Sequence, residues 1–344
     1  MKKFLAALPL VALVSACGQS GSGQNASGQL KIVGSSTVYP FTTAVAEEFQ
    51  RANPGISVIV ESTGTGAGLK LFCAGVGANT PDLTNASRRI KASELEDCMK
   101  NGVKQVIEFP IGIDGLTLIE SVGAQPMKLS LRDLYAALAA RPFGKAQTAQ
   151  TWKDVNPALP ATKIRVLGPP PTSGTRDSLN ELFIQKGCEA DPAMKALKES
   201  NEAEYKDICT KIREDGAFVE AGENDNLLVQ KVSGDPTALG VLGYSFLEEN
   251  TDKVRAVEIN GSSPTAQSIT DLSYPGARKI YIYAKGEHLQ PKPAIKEFIA
   301  AYARATRKSG LLEQRGLVPF TGADAAASQD QATKLSPLTA SDIK

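Results

Sequence analysis

The sequence predicts an α/β fold built on a parallel-rich sheet with helices on both faces. Short β-branched runs alternate along the chain with segments whose apolar residues recur at helical spacing. Gly-, Ser- and Thr-rich turns join the two kinds of segment. With 344 residues, 42% hydrophobic and 22% charged, the chain can bury a large core in one large or two medium domains.

Leu30–Gly34 reads as the first strand. Ser35–Tyr39 is a polar turn, and Pro40 stands where a first helical turn tolerates it. Phe41, Val45 and Phe49 then mark a helix. Ile56–Val60 is a second strand, leading through a run of Gly and Thr to a helix with Leu69 and Phe72. Leu83–Ser87 is a third strand, followed by Arg88 and Arg89 and a helix from Ser93 that Gly102 can close. Val103–Phe109 and Leu116–Ile119 read as two further strands. Ser130 with Asp133 starts a helix carrying Leu134 and Leu138. Ile164–Leu167 is a strand, and after Gly168-Pro169-Pro170-Pro171 a helix runs through Leu179, Leu182 and Phe183. Asn226–Val232 is helical, Leu239–Gly243 and Lys279–Tyr283 are strands, and Pro293–Arg307 is an amphipathic helix. The tail from Gly322 is rich in Ala, Ser, Asp and Gln, and reads as poorly ordered or loosely helical.

The N-terminus reads as an export signal. Lys2 and Lys3 precede an apolar run, Phe4 to Val14, which is too short to span a bilayer as a mature helix. It ends in Val14-Ser15-Ala16-Cys17, the pattern of a bacterial lipoprotein signal covering residues 1–16, with Cys17 as the lipidated residue. Residues 17–29 then form a polar tether of about 4 nm at most. The folded part is expected outside the cytoplasmic membrane, anchored close to it.

Four other cysteines remain, and export permits disulfides. Each half of the chain holds one pair, so the expected bridges are Cys73–Cys98 and Cys188–Cys209. Metal-bound thiols are the alternative, but the sequence has no CxxC and no histidine near them. A formal net charge of +1 with no basic block argues against a nucleic-acid partner. The single histidine, His288, removes most zinc-hydrolase and Ser-His-Asp designs.

Three turns share one composition: Gly34-Ser35-Ser36-Thr37, Thr63-Gly64-Thr65-Gly66-Ala67-Gly68, and Thr172-Ser173-Gly174-Thr175. Each follows a strand and opens a helix. Helix N-termini present unsatisfied N–H groups, glycine allows close backbone approach, and hydroxyls add donors without fixed charge. Read singly, such a turn is an ordinary N-cap. Three of them suit a small oxyanion held at the carboxyl ends of strands. Arg88 and Arg176 follow these elements closely, and a guanidinium fork suits tetrahedral oxyanions.

Gly34–Pro40, Gly64–Lys70, Ala86-Ser87-Arg88, Phe109-Pro110-Ile111-Gly112 and Ser173-Gly174-Thr175-Arg176, in this order, resemble the phosphate-binding proteins of Pst-type ABC importers. Asp225–Val229 and Leu239–Tyr244 resemble them too, so the likeness spans about Leu30 to Pro319. It implies a type II periplasmic-binding-protein fold: two α/β lobes, two crossover strands and a ligand cleft. It also implies inorganic phosphate as ligand, a membrane-embedded ABC permease as partner, a monomer, and neither cofactor, metal nor catalysis. Its ligand set would be Ser36, Thr37, Val38, Thr65, Arg88, Ser173, Gly174, Thr175 and Arg176. The lobes would be residues 30–110 plus 275–322, and 111–274, with a polar tail at 323–344.

Two departures bear on selectivity. Some members of that family have an aspartate where this chain has Arg88, and some have an arginine where it has Pro169. The aspartate accepts the proton of phosphate; here Glu61, Asp177 and Asp225 are all candidates for that role. Without such an acceptor, sulfate or molybdate competes. A phosphoester hydrolase using Ser36 or Ser173 as nucleophile, and a scaffold lipoprotein with a vestigial cleft, are the readings outside that class.

Overall fold

The computed structural model describes residues 28–171, 173–222 and 224–343. The leader, most of the tether and the lipidation expected at Cys17 lie outside them, as does Thr172 of the third turn. Among the described residues no helix is long and apolar enough to cross a membrane.

Among the described residues eleven strands form: β1 (Gln29–Gly34), β2 (Ser57–Ser62), β3 (Leu83–Ala86), β4 (Val106–Ser121), β5 (Lys128–Leu129), β6 (Val166–Gly168), β7 (Phe218–Glu220), β8 (Leu239–Gly243), β9 (Val254–Ala256), β10 (Glu258–Ile259) and β11 (Ala277–Lys285). The main sheet runs β2-β1-β3-β11-β4-β8-β6-β7, with β9 on β4 and β5 paired to β10 apart. β1 lies parallel to β2 and β3, and β6 parallel to β7 and β8. The parallel-rich expectation therefore holds within each half. Antiparallel pairs occur where β4 and β11 cross between the halves.

The two strands expected at 103–109 and 116–119 are one continuous strand of 16 residues. β4 is long because its first part pairs with β11 and its later part with β8 and β9. Its apolar run, Val106-Ile107 through Leu118-Ile119, is buried along nearly its whole length, as a strand covered on both faces requires.

Two main cores flank this crossing. One gathers side chains between Ile113 and Tyr274, including Trp152, Phe183 and Leu242. The other joins Leu30–Ile111 to Ile280–Leu317. In the latter, the helix Tyr39–Ala52 buries Phe41, Val45 and Phe49 at the spacing read from sequence. Phe49 meets Phe298 of the helix Ala294–Ala305 edge to face at 5.4 Å. Burying an aromatic or aliphatic side chain of this size contributes about 1.5–3 kcal/mol.

Both expected disulfides form, Cys73–Cys98 and Cys188–Cys209. The first closes a smaller core around Phe72 and Leu95. Of the two readings of the tail, the helix is the one observed: Gly322–Lys334 is helical, as its alanines favour. It is docked as well, with Ser328 Oγ donating to the Pro110 carbonyl at 2.8 Å. Helices Pro192–Ser200 and Glu202–Cys209 were not read from the sequence.

Candidate functional site

The three turns converge, and glycines allow the close approach. Gly34 has φ +127°, and a Cβ there would stand 2.2 Å from the Asn85 carbonyl oxygen. The Gly34 carbonyl accepts from the Thr63 and Gly64 amides, each at 2.9 Å, which ties the first turn to the second. Gly174 presses on the first turn from the other core: a Cβ there would lie 2.4 Å from the Ser36 carbonyl oxygen and 2.5 Å from Thr37 Cα.

Side chains complete the union. The Thr37 hydroxyl donates to the Gly174 carbonyl at 3.1 Å. In the second turn, Thr65 Oγ1 lies 2.9 Å from Ser87 Oγ and accepts from the Ser87 amide at 3.1 Å. The Ser87 hydroxyl then donates to Glu181 Oε2 at 3.1 Å. In the third turn Ser173 caps its helix by accepting from the Thr175 amide at 3.2 Å. Val38 stands at the start of the helix Tyr39–Ala52, its amide turned to Ser35 Oγ at 3.4 Å. First-turn N–H groups have no acceptor within their own helices, so all three turns offer donors to one small region.

The two arginines singled out by sequence sit differently from that expectation. Arg88 is turned to Glu94, donating from both terminal nitrogens at 2.9 and 2.8 Å. That bond raises its pKa. Arg176 lies beside the third turn, its guanidinium 4.4 Å over the Phe218 ring. It donates to the Pro169 carbonyl at 3.1 Å, and Glu220 is 4.0 Å away. Burial lowers its pKa, the direction for a cation drawn from water.

The cation that bonds directly to the first turn and to the helix of the third is Arg278 of β11. It donates to Thr37 Oγ1 at 3.1 Å and to Ser178 Oγ at 2.8 Å. It also pairs with Asp114 at 3.2 Å and with Glu181. Arg278 and Asp114 are register partners where β11 crosses β4. Sequence reading missed this group, although Asp114 is the one charge between Glu108 and Glu120 of β4. Glu181 comes from a single π-helical stretch, Leu179–Ile184, a local widening often found at functional sites.

The three candidate acids separate clearly. Glu61 is exposed and pairs with Lys31 at 3.4 Å. Asp225 begins the helix Asp225–Ser233, and burial pushes it up to about 6. Asp177 is raised by burial, against the pull of a hydrogen bond from Ser36. Of the three, only Asp177 is bonded to the first turn. His288 belongs elsewhere: its Nδ1 lies 2.7 Å from the buried Asp82, outside the reach of any Ser in the turns. Among the described residues, no cluster of three or more metal-ligating side chains occurs. A cavity of about 710 Å³ lies between helices Tyr39–Ala52 and Ala294–Ala305 and includes no residue of the turns. Its lining of Ala, Leu and Phe with a few charges offers no constellation for chemistry.

Two α/β cores joined by crossing strands, with amide- and hydroxyl-rich turns meeting between them, define a solute-binding receptor of the type II periplasmic-binding-protein fold. A family model described as a PBP superfamily domain matches residues 20–304. Protein SphX of Synechococcus elongatus is 34% identical over 309 residues, 86% of this chain and 80% of that protein. A phosphate-binding protein PstS of Staphylococcus epidermidis is 31% identical over 300 residues, covering 83% and 79%. The crystal structure of a possible phosphate binding protein from Planctomyces limnophilus superposes with a TM-score of 0.69 at 28% identity, covering 90% of this chain and 99% of that one. The chain belongs to the PBP superfamily and, within it, to the family that includes SphX and PstS.

Proposed function

We propose that this protein captures inorganic phosphate outside the cytoplasmic membrane and hands it to an ABC permease. The observation that carries this reading is the union of the three turns through Thr37, Gly174, Thr65 and Ser87. Ser36, Thr37, the Val38 amide and Thr65 would bind the anion from one side; Ser173, Gly174 and Thr175 would bind it from the other. Arg278 and Arg176 supply positive charge at the cradle, and Arg88 adds to the field from beyond Ser87.

The lobes of this reading are residues 30–110 plus 275–322, and 111–274, closing by hinge motion about the two crossing strands. The contact of Gly174 with Ser36 and Thr37 supports a closed arrangement. A lipid anchor at Cys17 would hold the monomer near its permease, and stable anchoring needs more than one acyl chain. A hydrolytic role lacks support, because His288 is committed to Asp82 and, among the described residues, the carboxylate bonded to Ser36 is that of Asp177.

Asp177 is the acceptor we assign to the proton of phosphate. Sulfate carries no such proton at neutral pH, so an ionised Asp177 would face it unpaired, and that discriminates strongly. Isothermal titration with phosphate and sulfate checks both parts. The expected result is saturable phosphate binding, little with sulfate, and a gain in sulfate affinity in Asp177→Asn. A protein silent toward phosphate sinks the reading; an unchanged sulfate response in the variant removes Asp177 from it.

A further inference from the structure

Beside the cradle, a cavity of about 530 Å³ opens between segments 87–91, 181–198 and 272–281. Ser87, Glu181 and Arg278 form the wall it shares with the turns. Seven cationic side chains line it against two carboxylates. We propose that this cavity is a second anion site, which takes condensed inorganic phosphate.

The orientation of the ion pairs gives the cavity its sign. Arg88 pairs with Glu94, Arg89 with Glu108 and Lys279 with Asp324. None of those three carboxylates lines the cavity, so the space meets the cationic ends of these pairs. The two carboxylates that do line it have their own donors. Glu181 takes Ser87 and Arg278, and Glu189 takes Lys198 and the Tyr205 hydroxyl, both at 2.7 Å. Lys91 is exposed, and Lys186 has its nearest carboxylate at 3.8 Å. Both are therefore available to an incoming anion.

Size decides the class of ligand. The volume falls within the ~300–1,000 Å³ of small-molecule sites and far exceeds the seat of one tetrahedral oxyanion. Cations stand on walls from separate segments, which suits a chain of linked phosphoryl groups better than a single charge. Potentials from such a concave, predominantly cationic lining also concentrate multivalent anions near it.

The test is titration of tripolyphosphate, in metal-free buffer, into the protein already saturated with phosphate. Saturable binding is expected to persist. The double variant Lys91→Glu/Lys186→Glu is expected to weaken it by at least about tenfold, with phosphate affinity changed less than about twofold. Should charge reversal lower the melting temperature, Lys91→Gln/Lys186→Gln replaces it, with about threefold weakening expected. Loss of tripolyphosphate binding when phosphate is present overturns the proposal, and so does equal binding by the variants. Repeating the titration without phosphate separates this site from the cradle: there the variants alone decide, whether or not phosphate binds.

Discussion

The Arg278 guanidinium donates to the Thr37 hydroxyl at 3.1 Å, across more than two hundred residues of chain. The same group holds Ser178 and pairs with Asp114 and Glu181. It thus links the first turn, the helix of the third turn and, through Glu181 and Ser87, the second. One half-buried cation sets the distance between three donor clusters.

Arg278→Ala is expected to weaken phosphate binding roughly 10- to 150-fold, the scale of a lost charged hydrogen bond. It should also lower stability, because Asp114 and Glu181 lose their shared partner. From sequence, Arg88 is the residue whose loss should weaken binding tenfold or more. Its bidentate bond to Glu94 reduces that expectation to about threefold or less. Titration of both variants checks the order, and a larger loss in Arg88→Ala would refute it.

The turns were legible in the sequence because their chemistry is local. Glycine permits positive φ and close approach, and Ser and Thr cap helices, so composition alone marked Gly34–Thr37, Gly64–Gly68 and Ser173–Thr175. Arg278 was not legible, since its role depends on the register of β11 against β4, a pairing between residues far apart in sequence. Glu181 was hidden for a different reason: the π-helical stretch turns it toward Ser87, and ordinary helical periodicity does not reveal such a shift.

Gly174→Ala tests closure itself. Its Cβ would meet backbone of Ser36 and Thr37 at 2.4–2.8 Å, and backbone on a strand-to-helix turn cannot yield cheaply. The expected outcome is a protein that folds with a near-normal melting temperature but binds phosphate at least about a hundredfold more weakly. Small-angle scattering should show no compaction when phosphate is added. Parental affinity in this variant would mean that the two turns need not touch.

Asp225 ties stability to pH. Burial lifts its pKa from 3.8 to about 6, so the unfolded chain ionises first as pH rises. Between about pH 4 and 6 the folded state holds the extra proton, and stability falls with rising pH across that window. Above it the full cost, on the order of 2–3 kcal/mol as an upper bound, is in place. Asp225→Asn should therefore stabilise the protein at pH 7 and have little effect at pH 4. Urea midpoints at the two pH values measure this, and a variant that stabilises equally at both would show that charge is not the cause.

The bridge between Cys188 and Cys209 joins the helices Gln185–Glu189 and Glu202–Cys209. With a sequence separation of 21, loop-closure entropy assigns it about 3 kcal/mol. Both cysteines are fully buried, so the double serine variant leaves two hydroxyls in the core and adds to that loss. Its midpoint should fall by roughly 5–10 °C. The helix Gln185–Glu189 continues directly from the π-helical stretch that carries Glu181, so looser packing there also reaches the Ser87 contact. Phosphate affinity should consequently drop as well, so excess phosphate should raise the variant's midpoint by less than the parent's through mass action. Calorimetric melts with and without phosphate separate the two effects: equal shifts under both conditions would confine the disulfide to stability alone.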